Sequence, residues 1–141
     1  PVTETGDIVL VRQYRPAVKQ WLWELPAGSL KPGEDIETAA RRECHEEIGL
    51  IPEHLRQLGA FYPTPGFCDE LIYVYLASSL RQPLSHETAR PDEDEDIQTG
   101  TFSAGQIRTM IASGEVVDLK TVAGVALASP GLASPPASAP A

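Results

Sequence analysis

Apolar residues recur along the chain with two different periods, and these periods predict an alternation of strands and helices. Short runs rich in β-branched and aromatic residues, bounded by Pro, Gly or polar residues, are typical of strands. Such runs lie at 8–14, 21–25, 58–62, 71–76 and 97–102. Because the run at 71–76 is apolar at every position, we expect it to be buried on both faces and central in its sheet.

The segment that follows residue 34 has the period of a helix. Its apolar residues are spaced by four and draw one stripe along the segment, as in a helix that packs against a sheet. The stripe consists of Ile36, Ala40, Cys44 and Ile48. Gly49 follows at the position after a helix where glycine is favoured, so the sequence predicts a helix over 35–48.

Two shorter helices are predicted near the end of the chain. Ser103 and Gln106 have the spacing of a capping box, and Gly114 marks the end of that helix after about residue 112. Asp118 caps a final helix that reaches about residue 128. Strands interleaved with helices indicate one α/β domain over 1–128. The Pro, Ala and Ser residues of 129–141 have no periodicity, and we expect this tail to be disordered.

The end of the 35–48 helix is unusually acidic. Glu43, Glu46 and Glu47 crowd its last turns, where the helix dipole favours cations and where like charges at this spacing repel. Carboxylates held at the edge of a core are costly unless a cation neutralises them. The sequence alone leaves two interpretations open: a cation site, or a solvated helix end with an exposed pair between Arg42 and Glu46.

Composition and charge narrow the classes of function. The chain has 141 residues and 42% apolar residues, which fits one domain, and it has no apolar run long enough to span a bilayer. A net charge of −9 argues against a nucleic-acid partner and requires a phosphorylated substrate to meet a metal ion or a local arginine. Two cysteines do not make a disulfide framework, so the reducing cytoplasm is the expected compartment.

The segment 28–50 resembles the signature of a known family. It matches the Nudix box at every fixed position, namely Gly28, Glu34, Arg42, Glu43, Glu46, Glu47 and Gly49, with Leu50 in the last apolar position. Cys44 departs mildly from the usual Leu, Ile or Val. This resemblance implies an α/β/α sandwich with a mixed sheet, in which the box forms a loop, a helix and a second loop.

The resemblance also implies a metal site for the hydrolysis of a nucleoside diphosphate linked to another group. Metal ligation falls to Glu43, Glu47 and the backbone carbonyl of Ala27, with Mg²⁺ as the expected ion and Mn²⁺ as the alternative. Catalytic roles fall to Glu46, which binds metal through water or supports a second ion, and to Arg42, which orients its neighbours. Glu34 is implied to support the junction of loop and helix.

Three further stretches, WELPAG, YPTPGFCDE and PDEDEDI, resemble the ADP-ribose pyrophosphatase subfamily. The likeness implies hydrolysis of ADP-ribose to AMP and ribose 5-phosphate, with Glu93 as base and Glu95 as an added metal ligand. Acidic runs alone are typical of solvated loops. The positions implied to contact the small-molecule substrate are Arg15, Ser29, Thr64 and Glu70. Two alternatives stay open: another nucleotide sugar or an oxidised nucleotide as substrate, or a non-catalytic domain that senses a nucleotide.

The beginning of the chain bears on its assembly. Pro1 is followed almost at once by a strand, so the sequence looks like a fragment of a longer chain. Members of the subfamily carry a preceding segment that builds a homodimer. We therefore expect a homodimer where that segment is present.

Overall fold

The computed structural model describes residues 1–89 and 96–129. Strands and helices alternate along these residues, as the apolar periods predicted. The strands are β1 (Ile8–Arg15), β2 (Gln20–Glu24), β3 (Ile51–Phe61), β4 (Ile72–Arg81) and β5 (Gln98–Phe102). The helices are α1 (Ile36–Ile48), α2 (Ala104–Ser113) and α3 (Leu119–Ala128).

The strands form two antiparallel sheets that a short segment at the start of the chain connects. One sheet has the order β2-β1-β5, and the other pairs β3 with β4. Val2 forms an isolated bridge with Ile8 of β1, and its backbone N–H donates to the carbonyl oxygen of Ala77 in β4 at 2.8 Å. The two sheets are therefore held edge to edge by backbone hydrogen bonds.

The helices cover the sheets and close the core. α1 packs against β1 and β3, α2 against β5, and α3 against β3 and β4. The buried core draws on β1, both C-terminal helices and the segment between them, with Ile8, Leu10, Ile107, Met110, Val116 and Val125 as its members. No helix among the described residues is long and apolar enough to cross a membrane.

The helix ends follow the capping signals in the sequence. Asp35 caps α1 by accepting the N–H of Thr38, and Gly49 ends it with φ 69° in the left-handed region. The capping box of Ser103 and Gln106 is formed at the start of α2. Asp118 caps α3 in the same manner. Asp35 was predicted as the first residue of α1, and it is instead the cap one residue before the helix. The predictions at Gly49, at Ser103 with Gln106 and at Asp118 are confirmed, since each cap depends on residues within one helical turn.

The strand predictions were less accurate. β3 begins at Ile51, well before the predicted 58–62, and β4 lies in a two-stranded sheet, so the expectation of a central strand at 71–76 was wrong. The α/β class is confirmed, and the strand pairs found in the described ranges are all antiparallel. The tail at 130–141 lies outside the described residues.

Candidate active site

The acidic half of α1 faces the loop that leads into the helix. This loop runs from the end of β2 at Glu24 to the cap at Asp35. Its last turn is fixed by Glu34, whose carboxylate accepts the backbone N–H of Lys31 at 3.0 Å. Loop and helix together form one compact unit, because the side chain of Arg42 connects them.

Arg42 lies at the centre of an ion-pair network. Its Nε and Nη2 donate to the two carboxylate oxygens of Glu34 at 2.8 and 2.9 Å. Its Nη1 donates to Glu43 at 2.7 Å and to Glu46 at 2.6 Å. Nη2 also donates to the carbonyl oxygen of Ser29 at 3.1 Å. One guanidinium group thus fixes three carboxylates and the loop backbone in one arrangement.

The network holds the Glu34 carboxylate in its charged form. Hydrogen bonds from Arg42 hold the pKa of Glu34 at about 2, below its ordinary value of 4.5. The same contacts raise the pKa of Arg42, with Glu34 as the largest cause. The Arg42 side chain is only 19% exposed. The pair between Arg42 and Glu46 is therefore formed, but it is partly buried within a larger network and is not an isolated, solvated pair.

Glu47 and Glu43 lie against the backbone of the loop. Glu47 is 6% exposed, and its Oε2 accepts the backbone N–H of Ala27 at 3.1 Å. The Glu43 carboxylate occupies the space beside Gly28, where an added Cβ would lie 2.1 Å from Oε1. Glycine at this position is thus required for the approach of Glu43. The carboxylates of Glu43 and Glu47 therefore both lie against the Ala27–Gly28 backbone. Glu47 is more deeply buried than its position beside the apolar stripe predicted.

Glu43 and Glu47, two of the expected metal ligands, lie against the Ala27–Gly28 backbone, and the third expected ligand is the Ala27 carbonyl group. Carboxylate and carbonyl oxygens are the ligands that Mg²⁺ prefers. No group of three or more His, Cys, Asp or Glu that could hold a metal ion occurs within 1–89 and 96–129. Glu95, the fourth expected ligand, lies outside those residues, as does the expected base Glu93.

The NUDIX domain family matches residues 1–121 of the chain. The chain belongs to the Nudix family. The unit of loop, helix and acidic network described above is its Nudix box.

Several characterised proteins are similar to this Nudix chain. An ADP-ribose pyrophosphatase of Bacillus subtilis (strain 168) is 38% identical over 120 residues, which cover 85% of this chain and 64% of the relative. The methanol dehydrogenase activator of Bacillus methanolicus is 36% identical over 124 residues, covering 88% and 66%. An ADP-ribose pyrophosphatase of Mycobacterium tuberculosis (strain ATCC 25618 / H37Rv) is 37% identical over 126 residues, covering 86% and 58%. The chain thus spans 58% to 66% of the length of these relatives.

A solved structure confirms the Nudix fold. The crystal structure of an ADP compounds hydrolase matches with a TM-score of 0.79 at 20% sequence identity. The match covers 89% of this chain and 66% of that chain. At this identity the likeness establishes the architecture alone.

The Nudix structure brings some of the expected substrate residues to the box and leaves others apart. Ser29 lies within the Arg42 network through its carbonyl group. Arg15 is the last residue of β1, and its side chain pairs with Glu24. The hydrogen bond with Glu24 is the main cause of the raised pKa of Arg15, and the charge of Glu47 makes a smaller contribution. Arg15 therefore lies in the electrostatic field of the box.

Thr64 and Glu70 lie on the loop after β3. The Thr64 carbonyl oxygen accepts the N–H groups of Phe67 and Cys68 at 3.2 and 3.0 Å, which closes a tight turn. Glu70 is exposed, and within the described ranges neither residue bonds to the Nudix box. The same loop lines an open surface pocket of about 470 Å³. Its lining residues are Tyr62, Pro65, Gly66, Phe67, Cys68 and Asp69.

Sequence reasoning missed a second charged cluster beside the box. Glu24 is 1% exposed and accepts hydrogen bonds from Arg15 and from Lys120 of α3. Burial alone raises the pKa of Glu24, but these two hydrogen bonds outweigh it and lower the pKa. The sequence feature that could have revealed this cluster is Glu24, a single acid inside the apolar run WLWEL. A carboxylate buried within such a run requires a cation nearby.

Replacing Gly28 with alanine is expected to impair the site while leaving the fold intact. The new Cβ would meet the Glu43 carboxylate, which must then leave its place beside the Ala27–Gly28 backbone. Displacement of a catalytic group by about 1 Å costs up to 10²-fold in rate, and we expect a loss of roughly 30-fold in kcat/KM. Steady-state kinetics with Mg²⁺ would measure it.

Gly105→Ala is the matched control, because its Cβ would meet only Ser103 Oγ at an ordinary 3.8 Å. It should retain activity and gain slight stability from the added helix propensity. Equal activity in Gly28→Ala and the wild type would show that Glu43 need not occupy this position.

Proposed function

We propose that the protein hydrolyses the pyrophosphate bond of ADP-ribose to AMP and ribose 5-phosphate in a metal-dependent reaction. The observation that carries the proposal is the arrangement of α1, in which Arg42 fixes Glu34, Glu43 and Glu46 while Glu47 is buried against Ala27. Relatives named ADP-ribose pyrophosphatase, at 38% and 37% identity, support the choice of substrate.

The proposed roles follow the position of each side chain. Glu43, Glu47 and the Ala27 carbonyl group would hold the cation, Mg²⁺ or alternatively Mn²⁺, with Glu95 as a further ligand. When bound, the cation supplies positive charge that stabilises the phosphoryl oxygens in the transition state. Arg42 binds Glu43 and Glu46 through the same nitrogen, Nη1, and so holds the two carboxylates beside each other and against the loop.

The substrate would bind between the box and the loop after β3. Arg15 uses Nε and Nη2 for Glu24, and its Nη1 makes no hydrogen bond within the described part of the chain. A guanidinium group with this geometry suits a phosphate oxygen. Ser29 would contact the substrate near the same point. Thr64 and Glu70 would contact it from the edge of the open pocket in the loop after β3.

Hydrolysis requires a base for the attacking water. In the proposed reaction the water oxygen forms a bond to phosphorus, the bridging P–O bond breaks, and Glu93 takes the water's proton. AMP and ribose 5-phosphate leave as the two phosphomonoesters, so atoms and charge balance without a further reactant.

Glu93→Gln is expected to reduce kcat roughly 10²-fold while the Mg²⁺ concentration at half-maximal activity stays within about threefold, because a general base contributes at least that much to the rate. Glu95→Gln is the matched variant and should instead raise that Mg²⁺ concentration. Full activity of Glu93→Gln together with loss of turnover in Glu95→Gln would mean that the two roles are exchanged.

A substrate panel tests the function itself. Phosphate released by a coupled phosphatase would be measured with Mg²⁺ for ADP-ribose, GDP-mannose and 8-oxo-dGTP. ADP-ribose should give the highest kcat/KM. Preference for either of the others would reassign the substrate, and tight binding of a nucleotide without turnover of any would establish a sensor.

Compartment and assembly belong to the same proposal. The described cysteines, Cys44 and Cys68, are both free, which supports the reducing cytoplasm. We propose a homodimer for the chain that includes the preceding segment of its subfamily. Light scattering of that longer chain would measure the mass, and a monomer would contradict it.

A further inference from the structure

Glu24 is more deeply buried than any other carboxylate among the described residues, and two cations hold it from opposite elements. Arg15 of β1 donates from Nε and Nη2 to its two oxygens at 2.8 and 2.7 Å. Lys120 of α3 donates from Nζ to the same Oε2 that Nη2 reaches. Lys120 also pairs with Asp118 at 3.1 Å. The four charges therefore sum to zero around a carboxylate that is nearly inaccessible to water.

Helix α3 also fixes Leu25, the residue that follows Glu24. The Thr121 hydroxyl accepts the N–H of Leu25 at 2.8 Å and donates to Asp118 at 2.6 Å. Gly124 lets α3 approach closely, because a Cβ there would lie 2.4 Å from Leu25 Cδ1. α3 thus holds the end of β2 immediately before Ala27, whose N–H donates to Glu47.

Lys120 and Arg15 share the negative charge of Glu24, so Lys120 affects how strongly the positive charge of Arg15 can attract a ligand. With Lys120 present, Glu24 is shared between two cations, so it compensates the positive charge of Arg15 only in part. Nη1 of Arg15 lies on the side of the guanidinium group away from Glu24, which Nε and Nη2 bind. Without it, Arg15 must neutralise Glu24 alone with Asp118 nearby, and the cluster would carry a net negative charge. An anionic ligand would bind less tightly to such a cluster.

We propose that Lys120 is a positioning residue for substrate binding. It shares Glu24 with Arg15, so the positive charge of Arg15 is only partly compensated and the guanidinium stays oriented and available to the diphosphate of the substrate. This inference rests on the proposed function of Arg15 as a phosphate-binding residue. It assigns to α3, which lies outside the Nudix box, a role in the affinity for the substrate.

The first test compares three substitutions at one position by steady-state kinetics with ADP-ribose and Mg²⁺. Lys120→Met should raise KM roughly tenfold with kcat within about twofold, and Lys120→Gln should behave alike. Lys120→Arg keeps the charge and should restore KM to within about threefold of the wild type. Arg108→Met, at an exposed residue of α2 without an ion pair in the described part of the chain, is the control and should change neither constant.

A double-mutant cycle separates positioning from a purely structural role. Arg15→Met should raise KM at least as much as Lys120→Met, and adding Lys120→Met to it should have little further effect. Two results would overturn the proposal: KM effects of Arg15→Met and Lys120→Met that multiply in the double variant, or a lowered melting temperature with an unchanged KM in Lys120→Met.

Binding of inorganic pyrophosphate without metal, measured by calorimetry, distinguishes this inference from the proposed function. Weaker binding in Lys120→Met and Arg15→Met, but not in Arg108→Met, supports the role of Lys120 even if ADP-ribose proves not to be the substrate. Wild-type affinity in Lys120→Met beside weakened binding in Arg15→Met would refute the role of Lys120 and leave the proposed function standing.

Discussion

Glu47→Gln is expected to lower kcat/KM for ADP-ribose by roughly 10²–10³-fold, the size of a lost electrostatic contact in a transition state. Glutamine has the same shape, and its amide oxygen can still accept the N–H of Ala27. Only the charge is removed, from a side chain that is 6% exposed and therefore poorly solvated by water. The result would show that the charge of Glu47, and not its shape, supports the reaction.

The stability of this variant should change much less than its activity. A neutral residue relieves repulsion with Glu43 but also loses attraction to Arg15, so the melting temperature without metal should stay close to that of the wild type. The rise in melting temperature on adding Mg²⁺ should be reduced, since a ligand stabilises only the state it binds. Glu37→Gln, on the exposed first turn of α1, is the control and should keep both activity and the Mg²⁺ effect. A fully active Glu47→Gln would exclude Glu47 as a ligand.

The part of the fold that sequence could predict is the part fixed by local interactions. Each end of α1 is determined by its own cap, Asp35 at the start and Gly49 after the end. The Nudix box is also local, since its fixed positions lie within one loop and one helix. Even so, the apolar stripe did not reveal that Glu47 is buried, because that burial depends on where the Ala27–Gly28 backbone lies.

What the sequence could not predict depends on pairing between distant segments. The first half of β3 includes Pro52 and several polar residues, so its composition is not that of a strand, yet Ile51 lies opposite Arg81 of β4. Glu24 and Lys120 are 96 residues apart and meet only after α3 packs on the sheets. The acid within WLWEL indicates that Glu24 needs a cation, but no local pattern identifies Lys120 as that cation or Arg81 as the partner of Ile51.

Arg42→Gln is the second variant with a large expected effect, and it should lose both activity and stability. Removing the guanidinium group leaves Glu34, Glu43 and Glu46 close together without the cation that now binds all three. We expect kcat to fall roughly 10²–10³-fold. Because hydrogen bonds to charged groups contribute about 1.5–3 kcal/mol and repulsion relaxes partly into solvent, unfolding should require roughly 1–3 kcal/mol less.

The response of Arg42→Gln to metal is the decisive measurement. Since excess negative charge remains in the variant, Mg²⁺ should raise its melting temperature more than that of the wild type, although the bound cation cannot restore the orientation of Glu43 and Glu46. Arg42→Lys should stay mostly inactive, because an ammonium group cannot reproduce the forked contact with Glu34. Arg41→Gln is the neighbouring control, as Arg41 donates to the Pro52 carbonyl oxygen instead of a carboxylate. Near-wild-type turnover in Arg42→Lys would mean that Arg42 supplies charge alone and that the fixed geometry of the network is dispensable.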